Sequence, residues 1–304
     1  MLSEYLQHLR TGVITKALDL LSERQRQILA WRALQTSSAT SVVVYRDGLT
    51  WHLPLSEGIV GLSMLINGEW EAESLKGLLA WSARYSPLGP DKLLVDVGAN
   101  IGTTSIPVAS HLRCRVVAIE PVPSTFETLC LNVRANKLDH LVTPIHGAVL
   151  AQASTIAMMV DDTNRGGSYV ARASAHTPAA NVEARPLDDI LTFLEIAPQH
   201  VGLVWADVEG CETDVIASGT SLWREGIPLF AEINPGAQKM QQGIDAFVRA
   251  VHTHFDRFLP EERLPDSPPE EFWPIERFAA HVRTIRDDVG RNVLLLPPGF
   301  AASR

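Results

Sequence analysis

The chain has 304 residues, 46% hydrophobic and 20% charged, the proportions of a globular rather than a disordered protein. Its formal net charge is −9, and no lysine or arginine run offsets it locally, so the basic footprint that nucleic-acid binding needs is missing. The three cysteines, Cys114, Cys130 and Cys211, stand in no paired spacing, which argues against a disulfide framework or a zinc cluster and for a reducing compartment.

The first segment, MLSEYLQHLRTGVITK, lacks the basic-then-apolar layout of a signal peptide. No window approaches the roughly 20 uninterrupted apolar residues of a membrane helix. A cytoplasmic protein with no membrane partner is therefore expected. Residues 3–35 read as a helix, with Ile14, Leu18, Leu21 and Ile28 on one face. That face would either pack on its own domain or form a homodimer contact. In SVVVYRDGLTWHLPL, Asp47-Gly48 between two β-rich runs predicts a hairpin. A helix around Glu71–Arg84 follows, and the loop SPLGPDK is the expected boundary. It divides an N-terminal helical and hairpin region, 1–90, from an α/β domain, 91–304.

From Leu93 the apolar runs LLVDV, RVVAIEP, VTPIHGAV, GLVWADVEG, PLFAEIN and RNVLLLP alternate with helical segments. Near-continuous apolar strands between helices predict a mostly parallel sheet with helices on both faces. Residues 151–186 break the rhythm with an expected inserted hairpin and a TNRGGS loop, and PEERLPDSPPEEFWPIE is expected to be irregular.

The run LLVDVGANIG turns a buried strand into a glycine loop. In an open parallel sheet, ligands sit at the carboxyl ends of strands beside the switch point. Glycine there lets the backbone approach a ligand closely. No GK[ST] follows, which excludes a phosphate-cradling loop of that kind, and Gly98 and Gly102 do not form the pattern that packs a diphosphate. Asp96, just before the turn, would repel a diphosphate but could accept from the loop or from a ligand's ammonium group. Glu120 ends the next strand, where a carboxylate can take both ribose hydroxyls. A phosphate-free, positively charged adenosine compound such as S-adenosylmethionine satisfies both.

This combination resembles the FkbM-type family of S-adenosylmethionine-dependent methyltransferases, on VDVGANIG (95–102), AIEP (118–121), RPLDDIL (185–191), ADVEGCE (206–212) and FAEIN (230–234). The resemblance implies a Rossmann-like class I methyltransferase fold, with Asp96, Gly98, Asn100, Gly102, Glu120, Pro121 and Gly147 around the cofactor. It also implies O-methylation of a hydroxyl on a sugar, lipid or natural-product acceptor. Pro107, in the helix after the loop, departs from an ordinary helix and is expected to kink it.

Methyl transfer to a hydroxyl needs alignment and a group to take a proton. Asp207 and Glu209, two apart on a segment expected to be extended, would point the same way. With Glu232 they form the candidate catalytic set, although acids bracing a turn or capping the next helix would leave the same trace. Asp207, Glu232 and Asn234 could alternatively hold Mg²⁺; the favoured reading needs no metal. Asn164, Arg165 and Asn234 are candidates for acceptor contact. His146 would contact an adenine or be a satisfied core histidine, and Trp205 belongs to the core. Two other classes fit less of the pattern: a nicotinamide-dependent oxidoreductase, and a non-catalytic module on the same fold.

Overall fold

The computed structural model describes residues 20–56, 58–159, 169–170, 180–264 and 266–301. Those up to Trp70 form one compact unit, and those from Glu71 onward form a second.

In the first unit, helix α1 (Glu23–Gln35) starts at a capping box. The Ser22 hydroxyl accepts from the Gln25 amide at 3.3 Å, and the Gln25 side chain accepts from the Ser22 amide at 2.9 Å. Two orphan amides are thereby satisfied, which fixes the helix start. The helix read over 3–35 therefore does not run unbroken: Leu21 precedes the cap, and Ile14 and Leu18 lie outside the described residues. The buried anchor of α1 is Trp31. Strands β1 (Ser41–Arg46) and β2 (Leu49–Pro54) form the expected antiparallel hairpin. Asp47 (φ 52) and Gly48 (φ 80) are both left-handed, as a two-residue turn matched to strand twist requires. Leu49, Trp51 and Leu53 are buried at alternate positions of β2. Helix α2 (Val60–Asn67) completes the unit.

The second unit opens with α3 (Ala72–Tyr85). Its buried face is Leu75, Leu78 and Trp81, and Trp81 packs against Tyr85, Phe272 and Phe300. This apolar face ties α3 to the α/β unit, so the contact boundary falls near residue 70 rather than near 90. Strand β3 (Leu93–Val97) leads through the glycine loop to α4 (Ser105–Leu112), then β4 (Val116–Glu120), α5 (Pro123–Ala135) and β5 (Val142–His146). After β6 (Ala148–Val149), β7 (Ser154–Met159), β8 (Tyr169–Val170) and β9 (Ala180–Arg185) come α6 (Leu187–Phe193), β10 (Val201–Ala206), α7 (Glu212–Ser218) and α8 (Thr220–Arg224). Strand β11 (Leu229–Ile233), α9 (Pro235–Met240), α10 (Ile244–His254), β12 (Arg257–Pro260), β13 (Trp273–Pro274), α11 (Phe278–Val282) and β14 (Arg291–Leu296) finish the unit.

The main sheet has the order β13-β12-β14-β11-β10-β3-β4-β5. Neighbours from β11 to β5 run parallel, and β14 lies antiparallel to both β11 and β12. This is the Rossmann-like, class I methyltransferase arrangement expected. Every residue of β3, β4 and β10 is buried, as a sheet covered on both faces demands, and Trp205 lies in the core with its ring 4.6 Å from that of Phe230. The chain moves outward from β3 through β4 to β5, then returns to build β10 on the other side of β3. The switch point therefore lies between β3 and β10.

Three local readings change. The run VTPIHGAV is not one strand: it breaks at Gly147, with β5 on the main sheet and β6 paired to β9 in a second sheet of order β6-β9-β7-β8. Within the Pro-rich segment, expected to be irregular, Trp273–Pro274 form the short strand β13, paired with β12. Pro107 occupies the third position of α4, where no intrahelical acceptor is available to its missing amide, so it costs the helix nothing. Cys114, Cys130 and Cys211 are free thiols. Among the described residues, no helix is long and apolar enough to cross a membrane.

The loop after β3 docks directly on the loop after β10. Gly98 has φ 87, and a Cβ added there would lie 1.8 Å from the Asp207 carbonyl oxygen. Gly98→Ala is therefore expected to cost about 3 kcal/mol or more in urea denaturation. Gly89→Ala, with nothing within 4 Å of the added atom, should stay within about 0.5 kcal/mol of the unaltered protein.

Candidate functional site

The glycine loop turns left-handed three times, at Gly98 (φ 87), Asn100 (φ 50) and Gly102 (φ 97). Asn is the side chain that best tolerates this region, so Asn100 takes a position where a third glycine would also fit. Its side-chain oxygen accepts from the Ile101 amide at 2.8 Å. Packing also requires glycine at Gly98 and Gly102. The first gives way to the Asp207 carbonyl, and at the second a Cβ would crowd Ile106 and Leu129 at 2.7 and 3.0 Å.

Asp96 lies beneath this loop, 1% exposed, and accepts from the Ser105 hydroxyl at the start of α4 at 2.5 Å. Its carboxylate braces the helix and acts on the site through its charge. Glu120, 5% exposed, accepts from the Asn100 amide at 3.0 Å with one oxygen and from the Val122 amide at 2.8 Å with the other. A carboxylate offers about four acceptor positions, so Glu120 holds two loops together and keeps capacity for two more donors. The Gly147 amide donates to the Glu120 carbonyl at 3.2 Å, which places Gly147 against the tip of β4. His146 is exposed, not a core residue. Its ring stacks on Phe126 at 4.9 Å, and its Nε2 lies 3.2 Å from the Pro121 carbonyl oxygen. His146 and Gly147 border a cavity of about 230 Å³ whose lining includes Glu183, Arg185, Ile190 and Phe193.

On the other side of the switch point, Asp207 follows β10 and Glu232 lies in β11. The two carboxyl groups hydrogen-bond to each other. Burial drives both upward from the ordinary carboxylate range, and the charge of Asp207 raises Glu232 further. The pair therefore favours holding a proton between them. A Cβ on Gly290 would overlap the Glu232 carboxyl, so the bare backbone before β14 seals that side chain. Glu209 joins the pair for a reason other than the one expected. It is not extended but left-handed, φ 48, followed by Gly210 at φ 95, and this turn brings it beside Asp207. Burial first, and then the charges of Asp207 and Glu212, push Glu209 up to about 8. Burial raises Asp96 and Glu120 to about 7.

The turn-bracing acid is Glu212, which the spacing argument passed over although it ends the run ADVEGCE. One of its oxygens accepts from the Val208 and Gly210 amides at 3.2 and 3.3 Å, and the other accepts from the Gln238 side chain at 3.3 Å. Because Glu212 holds the turn, Asp207 and Glu209 need not. A second residue missed in the sequence is Glu71, just before α3, whose carboxyl is raised by burial and by the charges of Asp207, Glu261, Asp96 and Glu209. No local pattern marks it; only the packing of α3 brings it here.

Asn234 is the N-cap of α9, its side-chain oxygen accepting from the Ala237 amide at 3.1 Å. That oxygen is committed, which removes it from the Mg²⁺ set considered with Asp207 and Glu232. Among the described residues, no group of three or more His, Cys, Asp or Glu is arranged to hold a metal ion. Asn164 and Arg165 lie outside the described residues. Near the acids, Asn292 of β14 faces Glu232 in register and lines a cavity of about 220 Å³ with both polar residues, such as Thr284 and Arg286, and apolar ones, Ile285 and Val289. No salt bridge to a lysine, arginine or histidine reaches Asp96, Asp207, Glu209 or Glu232 among the described residues. The carboxylates stand uncompensated around the switch point, an arrangement suited to a positively charged ligand.

The family model for the methyltransferase FkbM domain matches residues 96–263. A segment of 50 residues is 44% identical to a tRNA(Phe) (4-demethylwyosine(37)-C(7)) aminocarboxypropyltransferase of Pyrococcus horikoshii, over 16% of this chain and 18% of that protein. Another of 58 residues is 36% identical to a tRNA (guanine(37)-N(1))-methyltransferase of Batrachochytrium dendrobatidis, over 19% of this chain and 12% of that one. The chain thus matches less than a fifth of the length of these curated relatives. Among solved structures, M. jannaschii TYW2 in complex with AdoMet aligns with a TM-score of 0.44 at 12% identity, covering 86% of this chain and 87% of that one. With the FkbM model spanning more than half of its residues, from the first strand-end acid to the segment after β12, the chain belongs to the FkbM methyltransferase family.

Proposed function

We propose that this protein is an S-adenosylmethionine-dependent methyltransferase acting on a hydroxyl oxygen. The observation that carries the reading is the set of buried carboxylates at the tips of β3, β4, β10 and β11 with no basic partner among the described residues. A dinucleotide would set its diphosphate against Asp96 and Asp207, whereas a sulfonium with an ammonium tail offsets their charge. The loop residues fit the cofactor as well, since Glu120 retains acceptor capacity for two ribose hydroxyls beyond its two amide donors.

When bound, S-adenosylmethionine supplies a methyl group on a sulfonium whose positive charge dissipates as the methyl leaves. The chain's own work is to position the acceptor, exclude water and take a proton. Asp207 is the base in this reading: the acceptor's O–H proton passes to its carboxylate, while Glu232 keeps its own proton and donates it in a hydrogen bond to Asp207. Burial holds Asp207 above the ordinary carboxylate range, closer to the pH at which a general base is most effective. The cavity beside Asn292, with Thr284, Arg286 and Arg291 next to Ile285 and Val289, supports an acceptor with both hydroxyl groups and apolar parts, such as a lipid, a sugar or a natural product. The tRNA enzymes share only short segments with this chain, and its net charge of −9 gives no support to a nucleic-acid acceptor.

Two outcomes are expected. Calorimetric titration with S-adenosylhomocysteine should show binding that Glu120→Ala weakens by about 100-fold or more, the cost of losing two charge-assisted hydrogen bonds. Tyr45→Ala, an exposed aromatic of β1, should leave the affinity unchanged. Absence of binding by the unaltered protein at high micromolar ligand would overturn the cofactor reading.

The pH dependence of stability has a definite sign. Asp96, Glu120 and Glu209 are pushed up to about 7, 7 and 8 in the folded protein, from unfolded values near 4. The folded state therefore holds more protons, and stability is lost as pH rises through this range. The ligand-free melting temperature should fall by about 5 °C or more between pH 6 and 8.5, and saturating S-adenosylmethionine should shrink the fall. A melting temperature that climbs over this interval contradicts the assignment.

A further inference from the structure

We infer that Glu71 is a cofactor-binding residue whose carboxylate receives the ammonium group at the amino-acid end of the cofactor. The inference rests on the cofactor reading above and adds to it a residue from outside the family-matched segment, 96–263.

Glu71 is the N-cap of α3, yet its side chain makes no capping hydrogen bond. The short side chains of Asp, Asn, Ser and Thr are the ones that turn back to the first-turn amides, and the longer glutamate is free to reach elsewhere. Here the backbone is left-handed, φ 51, a conformation that is costly for a residue with a Cβ. The side chain is carried instead toward the acids, where it feels Asp207, Glu261, Asp96 and Glu209 and in turn acts on Glu232. Among the described residues no donor reaches its carboxylate.

The placement is fixed from two sides. Leu75, Leu78 and Trp81 bury the inner face of α3. One turn into the helix, the Ser74 hydroxyl donates to Glu261 at 2.5 Å, and the Asn292 amide donates to the same oxygen at 3.0 Å. Asn292 is the register partner of Glu232. The start of α3 is thus tied by hydrogen bonds to the strand that borders the acid pair.

The strand order assigns the ends of the ligand. Glu120, at the tip of β4, lies on one side of β3, and Asp207 and Glu232, on β10 and β11, lie on the other. A cofactor whose ribose is held by Glu120 extends its amino-acid end across β3 toward Asp207 and Glu71. Asp207 and Asp96 each already have one partner, the Glu232 carboxyl and the Ser105 hydroxyl. Glu71 and Glu209 are the carboxylates that no donor reaches among the described residues, and a primary ammonium, with three N–H donors, can engage Glu71 beside Glu209.

The experiment compares two ligands that differ at that end. S-adenosylhomocysteine carries the ammonium, and 5′-methylthioadenosine keeps the adenosine and lacks the amino-acid portion. Both are titrated calorimetrically at pH 8 into the unaltered protein, Glu71→Gln and Glu71→Asp. Glu71→Gln should weaken S-adenosylhomocysteine by about tenfold or more and leave 5′-methylthioadenosine unchanged, with Glu71→Asp between. Equal losses for both ligands, or no loss for either, would overturn the assignment and leave the cofactor reading standing. Failure of the unaltered protein to bind S-adenosylhomocysteine would overturn both. If Glu71→Gln does not fold, the same comparison is made with Glu71→Asp, where a loss confined to S-adenosylhomocysteine supports the assignment and an equal loss opposes it.

Discussion

Burying several carboxylates in one place without a basic partner is the constraint on which this molecule turns. Each charge removed from water loses solvation, and each neighbour of the same sign adds repulsion. The chain meets this cost partly with protons, as in the Asp207–Glu232 hydrogen bond. It meets it partly with fixed donors, as at Glu120 and Glu212. What remains is a negative field at the switch point, and a positively charged ligand is its natural complement.

The fold makes this concentration possible by letting each acid come from a different element. Parallel strands deliver Asp96, Glu120, Asp207 and Glu232 to one edge of the sheet, and the reversal between β3 and β10 opens a crevice between them. Close packing then holds the tips in place. Gly98 admits the Asp207 carbonyl, and Gly290 admits the Glu232 carboxyl. Glu212 ties the Val208–Gly210 turn, leaving Glu209 and Asp207 free of that duty. The structural acid and the chemical acids sit within six residues of one another and divide the roles that the sequence leaves ambiguous.

Much of this was legible in the chain. Continuous apolar runs marked the central strands, because strands covered on both faces have no alternation to hide. Asp47-Gly48 marked the hairpin, because its left-handed turn accepts few other residue pairs. The strand-end acids followed from the general location of sites in parallel sheets. Other features had no local signature. Glu71 precedes the glycine loop by more than twenty positions, and its role depends on how α3 packs. At Gly98 and Gly102 the packing demand had no local sign, because sequence cannot show which backbone and side chains come close to a glycine. The split between β5 and β6 at Gly147 is a pairing decision taken by the rest of the sheet. His146 could be an adenine contact or a core histidine as far as the sequence went; at the exposed end of an edge strand its ring stacks on Phe126, which removes the core option.

The central claim is that protonated, buried acids exchange their protons for a positively charged cofactor. The most direct measurement is the number of protons released on cofactor binding, obtained by calorimetry near pH 7 in buffers of different ionisation enthalpy. With carboxyls held up to about 7 and 8, binding of S-adenosylmethionine is predicted to release protons, and to release more than S-adenosylhomocysteine, which lacks the sulfonium charge. Binding of both ligands with no net release, or with uptake, would contradict the account.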